Sequence, residues 1–372
     1  MWSGSWTVGF PYSLSPFGWA LFKVATRLSL MITAKELHNK LKDIRMGNPL
    51  CQFTEQNCEN LLPIIQRIEE LKLEKNAIIL AHNYVAPQIL YSVADHTGDS
   101  YGLAKKARES NAAVIVFASV RFMAETAKIL NPDKVVLDPN PDGGCTLADG
   151  ITAEDVKNLR TQFPDHTFVC YINTTAEVKA LCDTCVTSSN VYKVIERIKN
   201  DKIYFLPDRL MGENVKKYFK KNGLEKEIEL YDGTCYVHEE YQPESVDQVR
   251  KNFSGVEILV HPECRPSVAD KADYVGSTSG MLDYVRRSER KKFFLLTECG
   301  LTGILESEFP EKKFVGTCMT CRYMKANSLE HILHALEKPN PSNIIELDPR
   351  IQKNALRCVE KMFFYTEGCY KN

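Results

Sequence analysis

Ile79-Leu80-Ala81-His82-Asn83-Tyr84 decides the fold: an apolar run of buried-strand length, begun at Ala77, stops abruptly at polar side chains. The junction recurs as Phe168-Val169-Cys170-Tyr171-Ile172-Asn173 and as Ile258-Leu259-Val260-His261-Pro262-Glu263. Tyr171 follows His82 by 89 residues, and His261 follows Tyr171 by 90. Each junction is followed by a helical stretch and, 17 or 18 residues on, by a small hydroxyl-rich turn. The turns are Gly98-Asp99-Ser100, Thr187-Ser188-Ser189-Asn190 and Gly276-Ser277-Thr278-Ser279. A period of about 90 residues exceeds any solenoid repeat and matches a small α/β domain used three times. Further strands at 113–117, 135–137, 203–206 and 293–296 alternate with helices, as parallel βαβ units require.

The spacing therefore predicts an α/β protein of three related domains with small parallel sheets around a pseudo-threefold axis. Residues 47–160 form the first repeat, with an N-terminal amphipathic helix over 61–71; residues 161–250 form the second. Residues 251–372 form the third, with C-terminal helices. The 372 residues are too many for one ordinary core. Residues 1–46 read as a poorly ordered extension. Up to residue 35 they are aromatic and hydroxyl-rich and carry only Lys23, Arg27 and Lys35 as charges. Lys23 and Arg27 interrupt the one apolar stretch, which falls short of the ~20 residues of a membrane span. A disordered extension or a start at Met31 is preferred over an organellar targeting peptide in residues 1–35.

Lysine plus arginine, 47, nearly balances aspartate plus glutamate, 48, so no net field favours nucleic acid or a membrane surface as partner. A small-molecule substrate is the better expectation. Thirteen cysteines, an odd number spread along the chain, argue against a secreted disulfide framework and for reduced thiols in the cytoplasm. Three follow the domain period: Cys145 in Asp142-Gly143-Gly144-Cys145, Cys235 in Asp232-Gly233-Thr234-Cys235, and Cys321 in Cys318-Met319-Thr320-Cys321. One thiolate per repeat would bring three to one point. Three soft ligands suit an iron–sulfur cluster or zinc with one position left open, where a substrate can bind. The competing arrangement is a non-enzymatic zinc scaffold or redox module on Cys182, Cys185, Cys318 and Cys321. A nicotinamide-dependent dehydrogenase would need a GxGxxG turn after a strand, and none is present.

In open parallel sheets ligands collect at the carboxyl ends of strands, so His82, Tyr171 and His261 should face one cavity. A lone histidine at a strand end is more often structural, but the matched positions weigh against that reading here.

From Leu61 to Leu336 the motifs, in collinear order, resemble the quinolinate synthases: AHNY with ADHTGDS, FMAETAKIL with DGGCTLAD, YINTTAEVKA with TSSN, GTCYVHEEY, HPEC with ADYVGSTSGM, and CRYMKANSL. The resemblance implies three α/β/α sandwiches around one [4Fe–4S] cluster per chain, held by Cys145, Cys235 and Cys321. It also implies the condensation of iminoaspartate with dihydroxyacetone phosphate to quinolinate in de novo NAD synthesis, and a functional link to an iminoaspartate-producing enzyme. Carried over by position, Tyr84, Tyr171, His261 and Glu263 are the expected catalytic groups. Substrate contacts are expected from His82, Asp99, Ser100, Tyr171, Asn173, Ser188, His238, His261, Glu263, Ser277 and Thr278.

Overall fold

The computed structural model describes residues 32–46, 48, 50 and 52–368. The readings made for residues 1–31 lie outside them.

The three apolar runs are the first strands of three four-stranded, all-parallel sheets. The first sheet holds β1 (Ala77–His82), β2 (His96–Gly98), β3 (Val114–Ala118) and β4 (Val135–Leu137); the second holds β5 (Thr167–Tyr171), β6 (Thr184–Val186), β7 (Lys202–Leu206) and β8 (Glu227–Leu230). The third holds β9 (Glu257–Val260), β10 (Tyr274–Val275), β11 (Lys292–Leu296) and β12 (Lys313–Phe314). All share one order, β2-β1-β3-β4, β6-β5-β7-β8 and β10-β9-β11-β12. The central strands are buried nearly end to end, because helices cover both faces of each sheet. Three related α/β domains are thus the architecture.

A carboxylate just before each second strand sets its register. Asp95, Asp183 and Asp273 each accept from the backbone N–H of Ile79, Phe168 and Ile258 at 2.8 Å, while their own N–H groups donate to the carbonyls of those residues at 2.9 Å. A side chain and a backbone group of one residue thereby close the same edge of the first strand three times.

Two features depart from the sequence reading. Part of the expected extension is packed structure: the helix Ala34–Leu41 opens with a Thr33/Glu36 capping box and buries Leu37 and Leu41 against the helices Glu55–Glu74 and Pro87–Ser92. The C-terminal helices, assigned by sequence to the third repeat, pack chiefly elsewhere. Leu329–Glu337 lies on Glu55–Glu74 and β3 of the first unit, and Pro349–Glu367 lies on the helix Ala176–Ala180 and β6 of the second. The reason is the apolar stripe of Pro349–Glu367, Ala355, Cys358, Val359, Met362 and Phe363, which is buried in the core shared by the first two units, with Phe363 against Tyr101.

Candidate active site

The carboxyl edges of the three sheets meet at one cavity. It is lined from the first unit by His82, Tyr84, Asp99, Ser100 and Cys145, from the second by Tyr171, Asn173, Ser188, Cys235 and His238, and from the third by His261, Glu263, Thr278 and Cys321. Ser277 does not line it: its hydroxyl caps the helix Thr278–Arg287 by accepting from Gly280 N–H at 3.1 Å. Asp99 lines the cavity with both oxygens engaged, one capping the helix Ser100–Glu109 through Gly102 N–H at 2.8 Å and one accepting from Ser279 Oγ at 2.7 Å.

The three periodic cysteines occupy one structural position. Each is the N-cap of a four-residue helix, Thr146–Asp149, Tyr236–Glu239 or Arg322–Lys325. The carbonyl two residues before each cysteine accepts from the N–H that opens the helix after the third strand in the chain order of that unit: Arg121 to Gly143 at 3.1 Å, Arg209 to Gly233 at 2.8 Å, Cys299 to Met319 at 2.9 Å. The cysteine carbonyls then accept from Asp149, Glu239 and Lys325 at 2.8, 2.9 and 3.0 Å. Gly144 precedes the first of these cysteines for a local reason. A Cβ there would meet Asp149 Oδ2 at 2.5 Å, the oxygen that accepts from Cys145 N–H.

Cys318 is different. It forms a disulfide with Cys299, not with Cys321, so one thiol pair departs from the fully reduced set expected from the sequence. The four-cysteine zinc arrangement does not assemble. Cys185 contacts Met362, and Cys170, next to Cys185 in the sheet, contacts Cys358, both at 3.7 Å inside the second unit. Cys318 and Cys321 belong to a loop of the third. Among the described residues, no group of candidate metal ligands includes Cys182 or Cys185.

The three periodic thiols all line the cavity, one from each unit. Among the described residues they do not gather as the ligand set of a single ion, and one tetrahedral zinc, with Zn–S bonds of about 2.3 Å, would need thiolates about 3.8 Å apart. Burial raises the thiol of Cys145 to about 12 and pushes those of Cys235 and Cys321 up as well, so metal loading has to displace protons.

Around the thiols the polar groups form one connected set. Tyr171 Oη donates to Glu263 Oε1 at 2.5 Å, and Glu263 Oε2 lies 3.0 Å from His238 Nδ1. The His238 ring stacks on that of His261 with centroids 4.5 Å apart. Tyr84 Oη sits between the hydroxyls of Thr278 and Thr297 at 2.7 and 2.8 Å, and its ring meets His82 edge to face. Burial pushes both His82 and His261 down to about 3, helped by Lys325 and His238 respectively, so both imidazoles are neutral near pH 7. The 3.6 Å approach of His261 to Glu263 is therefore a polar contact, not an ion pair. Burial alone would raise the Glu263 carboxyl, but His238 and the hydrogen bond from the Tyr171 hydroxyl outweigh it and hold it below the usual carboxylate range. Burial pushes the Tyr84 and Tyr171 hydroxyls up, keeping both protonated.

Two further groups escaped the sequence reading. Thr297 joins Tyr84 to His238, whose Nε2 is 3.0 Å from its hydroxyl. Glu298 accepts from Cys321 N–H at 3.1 Å and Gly300 N–H at 2.6 Å, and pairs with Lys325, which donates to the Tyr84 carbonyl at 2.6 Å. The third unit's helix can approach Tyr84 because Gly300 has no side chain; a Cβ there would meet the Asn83 carbonyl oxygen at 2.6 Å. Both residues follow β11, the strand whose end the period analysis left unexamined.

The buried imidazoles have a measurable consequence. As pH falls from 6.5 toward 3, the unfolded chain takes up protons that folded His82 and His261 refuse, so stability is lost across that window. Each contributes a slope of up to ~1.4 kcal/mol per pH unit. Thermal melts between pH 7 and 4 should show a steep acid loss that is shallower in His261→Asn protein; equal slopes would contradict the buried neutral state.

Comparison with known proteins identifies the set. A family model described as NadA, quinolinate synthetase A protein, matches residues 66–364. Quinolinate synthase 2 of Mesorhizobium japonicum is 42% identical over 323 residues, covering 84% of this chain and 98% of its own. The Xylella fastidiosa quinolinate synthase is 44% identical over 298 residues, 80% of this chain and 86% of its own. That of Caldicellulosiruptor saccharolyticus is 46% identical over 275 residues, 73% and 89% respectively.

Proposed function

The chain belongs to the quinolinate synthase family, and on that premise we propose that its cavity condenses iminoaspartate with dihydroxyacetone phosphate, releasing phosphate and water and giving quinolinate for de novo NAD synthesis. One observation carries the reading: three cysteines, one per domain, in the same capped and anchored position around a cavity lined by neutral imidazoles and protonated hydroxyls. Quinolinate synthases are iron–sulfur enzymes, and the donor set fits one [4Fe–4S] cluster per chain on Cys145, Cys235 and Cys321. When bound there, the cluster would supply a Lewis-acidic iron to a substrate carboxylate or leaving hydroxyl.

The chain's own residues account for the rest. Among the described residues, no arginine or lysine lines the cavity. Anionic substrates are therefore held by hydroxyls and backbone N–H groups, notably Ser100 and Thr278 at the starts of the helices Ser100–Glu109 and Thr278–Arg287. Asn173 and Ser188 serve the same end from the second unit. Neutral His82 and His261, each with one ring nitrogen that donates and one that accepts, can hydrogen-bond and orient substrate oxygen and nitrogen atoms for the dehydrations. Tyr84, kept protonated between two threonines, can donate to a developing oxyanion. Ionised Glu263 fixes the Tyr171 hydroxyl and His238. Val120, Phe122 and Met324 complete the wall and limit water around a hydrolysable imine.

Because iminoaspartate is labile, an iminoaspartate-producing enzyme is the expected functional partner. The nine free thiols among the described cysteines suit a reducing cytoplasm. Among the described residues, no helix is long and apolar enough to cross a membrane.

Aeration tests the reading. Activity of anaerobically purified protein should disappear in air together with iron, while circular dichroism stays constant, because an incompletely capped cluster is open to oxidants and zinc is not redox-active. Activity that survives prolonged aeration without iron loss would overturn it.

A further inference from the structure

Cys235, His238 and Glu263 stand out within the cavity, because their donor atoms all lie within 4.8 Å of one another. Cys235 is the N-cap of the helix Tyr236–Glu239 and His238 follows one turn later, so both point the same way. Glu263 comes from the loop after β9, in another domain. His238 Nδ1 is the node, 3.3 Å from Cys235 Sγ and 3.0 Å from Glu263 Oε2. Donors in a tetrahedral zinc site, with bonds of about 2.0 to 2.3 Å, are separated by about 3.3 to 3.6 Å. The two spacings at His238 need to open by only a few tenths of an ångström, and the third pair lies within 4.8 Å.

The surroundings match a zinc site as closely as the ligands do. Zinc-bound histidines are oriented through their second nitrogen and zinc-bound carboxylates through their second oxygen. Here His238 Nε2 is held 3.0 Å from Thr297 Oγ1, and Glu263 Oε1 accepts from Tyr171 Oη at 2.5 Å. His238 and Glu263 are buried. All three residues line the cavity, which leaves a fourth position for water.

We infer that the cluster-free chain binds a single zinc ion at Cys235, His238 and Glu263, and that zinc and the iron–sulfur cluster exclude each other through Cys235. The exclusion rests on the reading of Cys235 as a cluster ligand; zinc binding does not. A lone ion closes on one thiolate, one imidazole and one carboxylate that already converge, whereas the three thiols do not form such a group among the described residues. Zinc captured before cluster assembly keeps the enzyme inactive until a chelator removes it and iron and sulfide are supplied.

The test is calorimetric titration of reduced, metal-free full-length chain with zinc chloride under argon, with cobalt(II) as a spectroscopic substitute. One zinc per chain is expected, with a cobalt spectrum of one thiolate ligand. The Cys145→Ala/Cys321→Ala double variant should bind zinc within a few-fold of the unsubstituted chain, showing that its fold and site persist. His238→Ala and Glu263→Gln should each weaken binding at least ~10-fold, the lower end for loss of a mere outer-shell partner. One equivalent of zinc should block reconstitution with iron and sulfide, and EDTA should reverse the block. No uptake at one equivalent, unchanged affinity in His238→Ala, or loss of binding in the double cysteine variant overturns the site. Full cluster assembly in zinc-loaded chain overturns the exclusion. The iron content of chain reconstituted without zinc tests the cluster independently.

Discussion

Cys321→Ala protein, purified anaerobically, is expected to carry no cluster and no activity, whereas Cys318→Ala protein keeps about four irons per chain, the content of a [4Fe–4S] cluster. The two thiols are three residues apart, and sequence register alone favours Cys321 only narrowly. Geometry separates them. Cys321 caps the helix Arg322–Lys325, and Met319 two residues before it accepts the same backbone hydrogen bond as Gly143 and Gly233 do before Cys145 and Cys235. Its N–H is further held by buried Glu298. Cys318 is bonded to Cys299 and lies 3.1 Å from the Met46 carbonyl, on the N-terminal segment. Iron and sulfide counts on both variants decide the matter. Cluster loss in Cys318→Ala with retention in Cys321→Ala would move the ligand and break the threefold equivalence.

Glu263→Gln is expected to lower turnover by ~10²-fold to 10⁴-fold, the range typical of an acid–base group, while leaving fold and iron content intact. The substitution keeps size and shape but removes the charge around which the site is arranged. The carboxylate accepts from Tyr171 and engages His238, while stacked His261 stays neutral beside it. A glutamine is neutral and accepts through only one of its two end atoms, so His238 must switch from donor to acceptor or lose its partner inside a buried site. Steady-state turnover at saturating substrate, with iron analysis of the same sample, makes the comparison. Unchanged turnover would reduce Glu263 to a structural role.

How far the sequence could be read follows from the range of each signal. The repeat was legible because strand, hydroxyl turn and cysteine recur at one spacing, and the structure answers with three sheets of one order. His82, Tyr171 and His261 were legible for the same reason, as strand ends at matched positions. Thr297 and Glu298 were not. They follow β11, whose counterparts in the other units are Ser119-Val120 after β3 and Pro207-Asp208 after β7; the acid recurs at Asp208 and Glu298 but not at Val120, and Thr297 has no repeat beyond the Ser119 hydroxyl. Asp95, Asp183 and Asp273 do repeat, 15 or 16 residues after the strand residue each one bonds, and a search for recurring acids would have found them. The Cys299 to Cys318 pairing depends on a loop returning past β12, which composition does not encode. The C-terminal helices went to the third repeat because adjacency in the chain was the only guide. Their apolar stripes find partners far away in sequence, a contact that local periodicity cannot specify.

The most direct test of the account is product formation. Cluster-loaded chain, given dihydroxyacetone phosphate and freshly generated iminoaspartate without oxygen, should release quinolinate and phosphate in equal amounts, measured by chromatography and phosphate assay. Chain stripped of iron should release neither beyond background. Quinolinate formed equally well by iron-free chain, or none formed by chain carrying a full complement of iron, would contradict it.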